Sequence, residues 1–140
     1  MPIESQPALS VLQNERLGHL TPNERASLAA VVDTLVKRYG SDLLRVVLFG
    51  SKARGDFDEE SDLDILVVVR MPDDNYWRHW REILDLTYGI DLEYDTVSSL
   101  LIRDEPDYAQ MRAWNLLLNR NIERDGIELW TAPQKERSFV

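Results

Sequence analysis

Cysteine is absent from the 140 residues, which excludes disulfides, thiolate nucleophiles and zinc sites built on sulfur. Histidine occurs twice, as His19 and His79, with no metal-ligand spacing between them. Positive charge is scarce too: 16 Lys plus Arg stand against 25 Asp plus Glu, a formal net charge of -9. Nucleic-acid binders draw most of their affinity from Lys and Arg on phosphates, so direct DNA or RNA binding is disfavoured, and no basic run reverses that. No stretch approaches the roughly 18 uninterrupted apolar residues of a membrane span. The opening MPIESQPALS has neither the basic nor the apolar region of a signal peptide. A cytoplasmic location without membrane attachment is the expectation. What remains, 44% hydrophobic and 29% charged residues, is the composition of an ordinary globular domain. A chain of this length buries roughly two-thirds of its unfolded surface in one core.

Three parts are expected: an N-terminal arm over 1–20, one domain over 21–130 and a frayed tail over 131–140. The arm mixes Pro, Gln, Asn and Ser with scattered Leu and reads as loosely held, with one short helical stretch. Thr21-Pro22-Asn23-Glu24 then offers a hydroxyl N-cap, a proline at the first helical position and a glutamate three residues after the cap. Leu28, Val31, Val32 and Leu35 recur at helical spacing and Gly40 supplies a stop, which predicts a helix over about 22–39. Arg45 to Phe49 and Leu63 to Val69 are short apolar runs that read as buried strands. Between them Gly50 to Ser61 reads as a loop, or a single helical turn and a loop, with Asp58-Glu59-Glu60 a solvated charged stretch.

A second helix is predicted from Tyr76, Trp77, Trp80, Ile83, Leu84 and Tyr88, ending at Gly89. In Ile90-Asp91-Leu92-Glu93-Tyr94-Asp95 apolar and acidic residues alternate strictly, which predicts a third strand with one carboxylate face. A last helix is expected over about 107–124, burying Tyr108, Met111, Trp114, Leu117, Leu118 and Ile122, followed by a short edge strand at 127–130. Aromatic residues at helical spacing more often fill a core than stack a base, so Trp77, Trp80, Trp114, Tyr94 and Tyr108 are read as core. His79 falls at a solvent edge between two tryptophans. The fold class is α+β, helices around one sheet.

The chemistry concentrates in VVLFGSKARGDFDEESDLDILVVV, residues 46–69. Glycine at the end of a strand lets the backbone approach a ligand closely, and the Ser51 hydroxyl and neighbouring N–H groups donate to phosphate oxygens. Lys52 and Arg54 add positive charge. Asp62 and Asp64, two apart in an extended strand, project from one face about 6–7 Å apart along the chain. Two converging carboxylates repel each other and are costly beside a buried strand without a cation. Hard oxygen ligands without His or Cys favour Mg²⁺ or Mn²⁺ over zinc, with substrate phosphates completing the coordination. Asp91, Glu93 and Asp95 on the third strand offer further ligands or a base. Taken singly, a Gly-Ser pair is usually a turn and an Asp-x-Asp a solvated strand edge; Lys52 and Arg54 could equally pair with Asp56 or Asp58. Their joint occurrence in strand–loop–strand order favours the functional reading.

Gly50-Ser51, ten residues, then Asp62-Leu63-Asp64 resembles the signature of the DNA polymerase beta-like nucleotidyltransferases, and the GSKARG form is similar to their minimal nucleotidyltransferase (MNT) branch. The resemblance implies a small mixed sheet with helices mainly on one face. It implies transfer of a nucleoside monophosphate, usually AMP from ATP, to a hydroxyl acceptor, with two Mg²⁺ ions held by three carboxylates. Asp62 and Asp64 match the paired ligands, and Gly50 and Ser51 match the triphosphate turn, with Arg54 and Lys52 as further nucleotide contacts. Asp91 fits the place of the third carboxylate best, with Glu93 on the same face as the alternative. Small MNT proteins commonly neutralise HEPN-domain ribonuclease toxins by AMPylating a toxin tyrosine or by binding, so a HEPN toxin is the partner implied, and the acidic balance suits a basic RNA-cutting protein. The alternatives are a non-catalytic toxin-binding antitoxin and an aminoglycoside-type small-molecule nucleotidyltransferase.

Overall fold

The computed structural model of the chain describes residues 5–56 and 61–133. Asp58 to Glu60 and residues 134–140 of the expected tail lie outside the described residues. Helices α1 (Gln6–Leu12) and α2 (Pro22–Tyr39) precede strand β1 (Leu43–Phe49), a single helical turn α3 (Gly50–Arg54) and strand β2 (Leu63–Val69). Helix α4 (Tyr76–Tyr94), strand β3 (Ser98–Asp104), helices α5 (Glu105–Trp114) and α6 (Leu117–Asp125) and strand β4 (Ile127–Thr131) complete the chain. The strands form one sheet in the order β3-β2-β1-β4. β1 runs antiparallel to β2 and to β4, while β3 lies parallel to β2. The fold class is α+β with a small mixed sheet. Among the described residues no helix is long and apolar enough to cross a membrane.

Period-2 alternation sorts the two buried strands between unequal cores. Val46 and Leu48 of β1, with Leu63, Ile65, Val67 and Val69 of β2, face a large core that also buries Leu28, Val32 and Leu35 of α2 and Ile83 and Ile90 of α4. Val47, Leu66 and Val68 face the other way and meet Ile122 of α6, with Tyr108 and Met111 of α5 packed at the side. Helices therefore cover mainly one face. Arg45 pins the thinner layer: its guanidinium reaches the carboxylates of Glu128 at 3.0 Å and Glu123 at 3.1 Å, and the Tyr108 hydroxyl.

α2 keeps the predicted bounds because its cap is complete. Thr21 Oγ1 accepts from the Glu24 amide at 3.1 Å, and Glu24 Oε1 accepts from the Thr21 amide at 3.0 Å. Several expectations are corrected. The arm is not loosely held: Ala8, Val11, Leu17 and Leu20 are buried in the main core. The strand expected at 90–95 is the last turn of α4, which runs through Gly89. Ile83, Thr87 and Ile90 continue one buried stripe at helical spacing, and that stripe outweighs the local alternation, leaving Leu92 exposed. The third strand comes later, at Ser98–Asp104. The last helix breaks at Asn115, which takes a left-handed conformation with φ of 49°. Trp114 at the end of α5 is exposed, and beyond the break, which resets the helical phase, so are Leu117 and Leu118. Trp77 is exposed as well, one position off the inward stripe of Tyr76, Trp80 and Ile83.

His79 is buried rather than at the surface, with Nδ1 2.8 Å from the Tyr39 hydroxyl and Nε2 2.9 Å from Asp73. The arm yields a direct test. Leu17→Ala removes a fully buried side chain and is expected to cost about 2–5 kcal/mol in urea denaturation, whereas Leu12→Ala, at an exposed position of α1, shifts stability by less than about 1 kcal/mol.

Candidate active site

The antiparallel register of β1 and β2 sets Phe49 opposite Asp64. The chain leaves β1 at Gly50 with φ of 76°, a conformation that favours glycine. A Cβ built at Gly50 would lie 2.2 Å from Oδ2 of Asp64, so the absent side chain is what lets the carboxylate approach the turn. Ser51 follows within α3, half-buried. Asp62 stands just before β2 and Asp64 is its second residue, so both carboxylates sit at the mouth of a strand whose other positions are almost wholly buried.

Burial raises the Asp64 carboxyl above the usual carboxylate range, the Asp62 charge raises it further, and Arg54 opposes both. Among the described residues neither Asp62 nor Asp64 has a hydrogen-bond donor or an ion pair to neutralise it. A pair of hard, mutually repelling oxygens beside a close-approach turn fits a divalent cation of the Mg²⁺ type. No third carboxylate completes the set: among the described residues no group of three or more His, Asp or Glu side chains has metal-holding geometry.

Asp91 sits in the last turn of α4 and not on a strand. Its Oδ1 accepts from the hydroxyls of Thr96 at 2.8 Å and Ser98 at 2.9 Å, and Oδ2 from the Ser98 amide at 3.0 Å. Ser98 is the β3 partner of Leu63, which lies between Asp62 and Asp64. Asp91 thus fastens β3 beside the site while its own oxygens are engaged elsewhere. Glu93 is exposed on the same helix.

Lys52 is likewise relocated. It is 4% exposed, and its Nζ lies 2.5 Å from Oε2 of Glu24. Burial alone would raise the Glu24 carboxyl; the Lys52 ammonium and the Thr21 cap outweigh it and hold it below the usual range. The pair joins α3 to the start of α2. Arg54 stays half-exposed and pairs with Asp56 at 3.1 Å, one of the two surface partners expected for it. A cavity of about 490 Å³ opens beside Asp62, bounded by Asn23 and Glu24 on α2 and by Asp95 and Thr96 before β3. The sequence placed Glu24 in a helix cap; nothing local announces that the cap lies against the Asp62 segment.

The sequence model of the nucleotidyltransferase domain family matches residues 28–128. This chain belongs to that family. A Methanocaldococcus jannaschii protein provisionally named a protein adenylyltransferase is 32% identical over 108 residues, covering 77% of this chain and 99% of that protein. A second from the same organism, given the same provisional name, is 40% identical over 72 residues, 51% of this chain and 67% of its own length. Among solved structures, a toxin–antitoxin crystal structure with AMP-PNP superposes with a TM-score of 0.48 at 23% identity, over 72% of this chain and 71% of that one. A provisionally assigned Sulfolobus solfataricus nucleotidyltransferase superposes at 0.49 and 21% identity, over 98% and 96%. Gly50, Ser51, Asp62 and Asp64 lie within the matched residues.

The raised Asp64 carboxyl sets a pH-dependent test for this nucleotidyltransferase. A carboxyl raised by folding disfavours the native state wherever it is ionised, and the penalty fades as pH falls through the raised value. Asp64→Asn is therefore expected to raise the melting temperature at pH 7 without metal, with the gain vanishing below about pH 4. A lowered melting temperature at pH 7 would contradict the assigned environment.

Proposed function

We propose that the chain is a Mg²⁺-dependent adenylyltransferase that moves AMP from ATP to a hydroxyl on a partner protein, a tyrosine of a cognate HEPN-domain ribonuclease toxin. The observation that carries the reading is the corner at which Asp64 meets the Gly50 turn, because it brings metal-holding oxygens within reach of a phosphate-binding backbone. Membership of the nucleotidyltransferase family supports the group transfer, and the relatives' provisional name supports a protein acceptor.

In this reading Asp62 and Asp64 hold the divalent cations. Bound there, the cations neutralise charge on the α-phosphate and leaving pyrophosphate and lower the pKa of the attacking hydroxyl. The backbone at Gly50 and the Ser51 hydroxyl orient the triphosphate, and Arg54 exchanges Asp56 for a phosphate oxygen when nucleotide arrives. Asp91 acts as a positioning residue, keeping the start of β3 against Leu63. Lys52 holds α3 to α2 through Glu24 instead of touching phosphate. The acceptor oxygen attacks the α-phosphorus in line, the bond to the β-phosphate oxygen breaks, and the hydroxyl proton passes to solvent or to a site carboxylate.

Incubation with α-labelled ATP, Mg²⁺ and a candidate HEPN-domain partner protein is expected to label that protein on tyrosine. Asp62→Asn and Asp64→Asn are each expected to lower the rate by at least about 100-fold, and chelation of the metal to abolish it. Full protection of cells by the double Asn variant, without labelling, would replace this reading by neutralisation through binding alone. Labelling of an aminoglycoside by the isolated chain would replace it by small-molecule transfer.

A further inference from the structure

Three large side chains stand in water along one line of α4: Trp77 is 69% exposed, Tyr88 65% and Leu92 67%. At about 100° per residue these positions, together with Arg81 and Asp85, fall within about 80° of one another and extend over about four turns. They lie opposite the buried stripe of His79, Ile83, Thr87 and Ile90. Trp77 is not loose: its ring meets Tyr76 edge-on at 5.0 Å and Trp80 at 5.5 Å. An indole already held in place is thus offered to solvent. Tryptophan, tyrosine and arginine are the side chains that dominate protein interfaces, and here all three share one exposed line.

The charges on the line itself select what covers it. Arg81 lies in its N-terminal half and Asp85 and Glu93 in the C-terminal half; all three are exposed, and none has a hydrogen bond or ion pair from its side chain among the described residues. Arg81 and Asp85 are four apart, yet the cation precedes the anion, which is the weaker order for pairing within a helix. α4 also has no acidic residue in its first turn and no basic residue in its last, so its own ends do nothing to satisfy the helix dipole. A second helix of the same charge pattern lying antiparallel brings carboxylates to the basic half and guanidinium to the acidic half.

α4 of another copy has that pattern, and its spacing fits. Trp77 and Leu92, Arg81 and Tyr88, and Leu84 and Asp85 are placed symmetrically about a single point on the axis. Two-fold pairing at that point sets Trp77 against Leu92 of the second copy and stacks Arg81 on Tyr88 of the second copy, and the symmetry repeats each contact. Arg81 then stands about 5 Å along the axis from Asp85 of the second copy, within the reach of its side chain. A parallel alignment would oppose Arg81 to Arg81 and Asp85 to Asp85, which excludes it.

We propose that the chain forms a two-fold dimer through antiparallel contact of the outer faces of two α4 helices. The dimer does not depend on the transfer reaction, so its test reads mass and not activity. A single helix pair buries less than a standard interface, and association in the micromolar range is expected. Sedimentation velocity of the full chain from about 1 to 100 μM, at about 0.15 M salt where the net charge is screened, is expected to show monomer passing to dimer. Tyr88→Glu, Arg81→Asp and Asp85→Arg are each expected to weaken association at least about tenfold. Like charges meet in Arg81→Asp alone and in Asp85→Arg alone, whereas an equimolar mixture of the two variants matches every charge and is expected to restore a dimer. Circular dichroism and melting temperature verify that the variants, all at exposed positions, remain folded. A parent that stays monomeric throughout leaves the line to a different protein or to residues 134–140 and overturns the proposal. So does a dimer indifferent to Tyr88→Glu, or a mixture of the two charge variants that remains monomeric.

Discussion

The approach of the Asp64 carboxylate to the backbone at Gly50 is the contact on which the site depends. It requires three conditions at once: an antiparallel register that sets Phe49 opposite Asp64, a positive φ immediately after the strand, and no Cβ at that residue. The apolar residues of β1 and β2 secure the first condition, because a one-residue slip would turn Asp64 and Asp62 into the main core and Leu63 and Ile65 out of it. Burial of the strands is therefore also what aims the carboxylates. The same burial deprives Asp64 of solvation, so the fold stores an electrostatic demand that a divalent cation would satisfy.

Other charges of the region are spent on construction. Lys52 and Glu24 neutralise each other between α3 and α2, and Asp91 ties the end of α4 to the start of β3. Each lies one element away from the Asp pair and adjusts its position without touching it. A carboxylate that accepts three hydrogen bonds from Thr96 and Ser98 would have to give them up to ligate a metal, each worth roughly 1 kcal/mol net. Asp62 and Asp64 would forgo nothing of the kind, which is the physical distinction between them and a carboxylate used in construction.

β1, the Gly50 turn and β2 were legible in the sequence because two apolar runs flank a glycine within one continuous stretch, and the complete Thr21 cap made α2 equally legible. The region after Gly89 was not. Strict alternation over six residues imitates a strand, and only the longer stripe from Ile83 through Ile90, anchored on α2 and β2, reveals the helix. Thr87 in that stripe is polar and hides the period; its hydroxyl is satisfied by the Ile83 carbonyl at 3.0 Å. The buried arm was obscured for a related reason. Ala8, Val11, Leu17 and Leu20 follow no single period, because a short helix and a separate helical turn deliver them to the same core. Lys52 looked available since its partner lies 28 positions away, and no local pattern encodes that distance.

Net charge and local charge give different information about a partner. At physiological ionic strength fields decay over about 8 Å, so the overall charge of -9 acts on the approach of a basic protein and on its orientation while the two are still apart. Once surfaces touch, only groups within a few ångströms count, so a partner drawn in by net charge is still selected by what its own contact residues meet. Attraction at long range and selection at short range then rest on different groups, and the first does not determine the second.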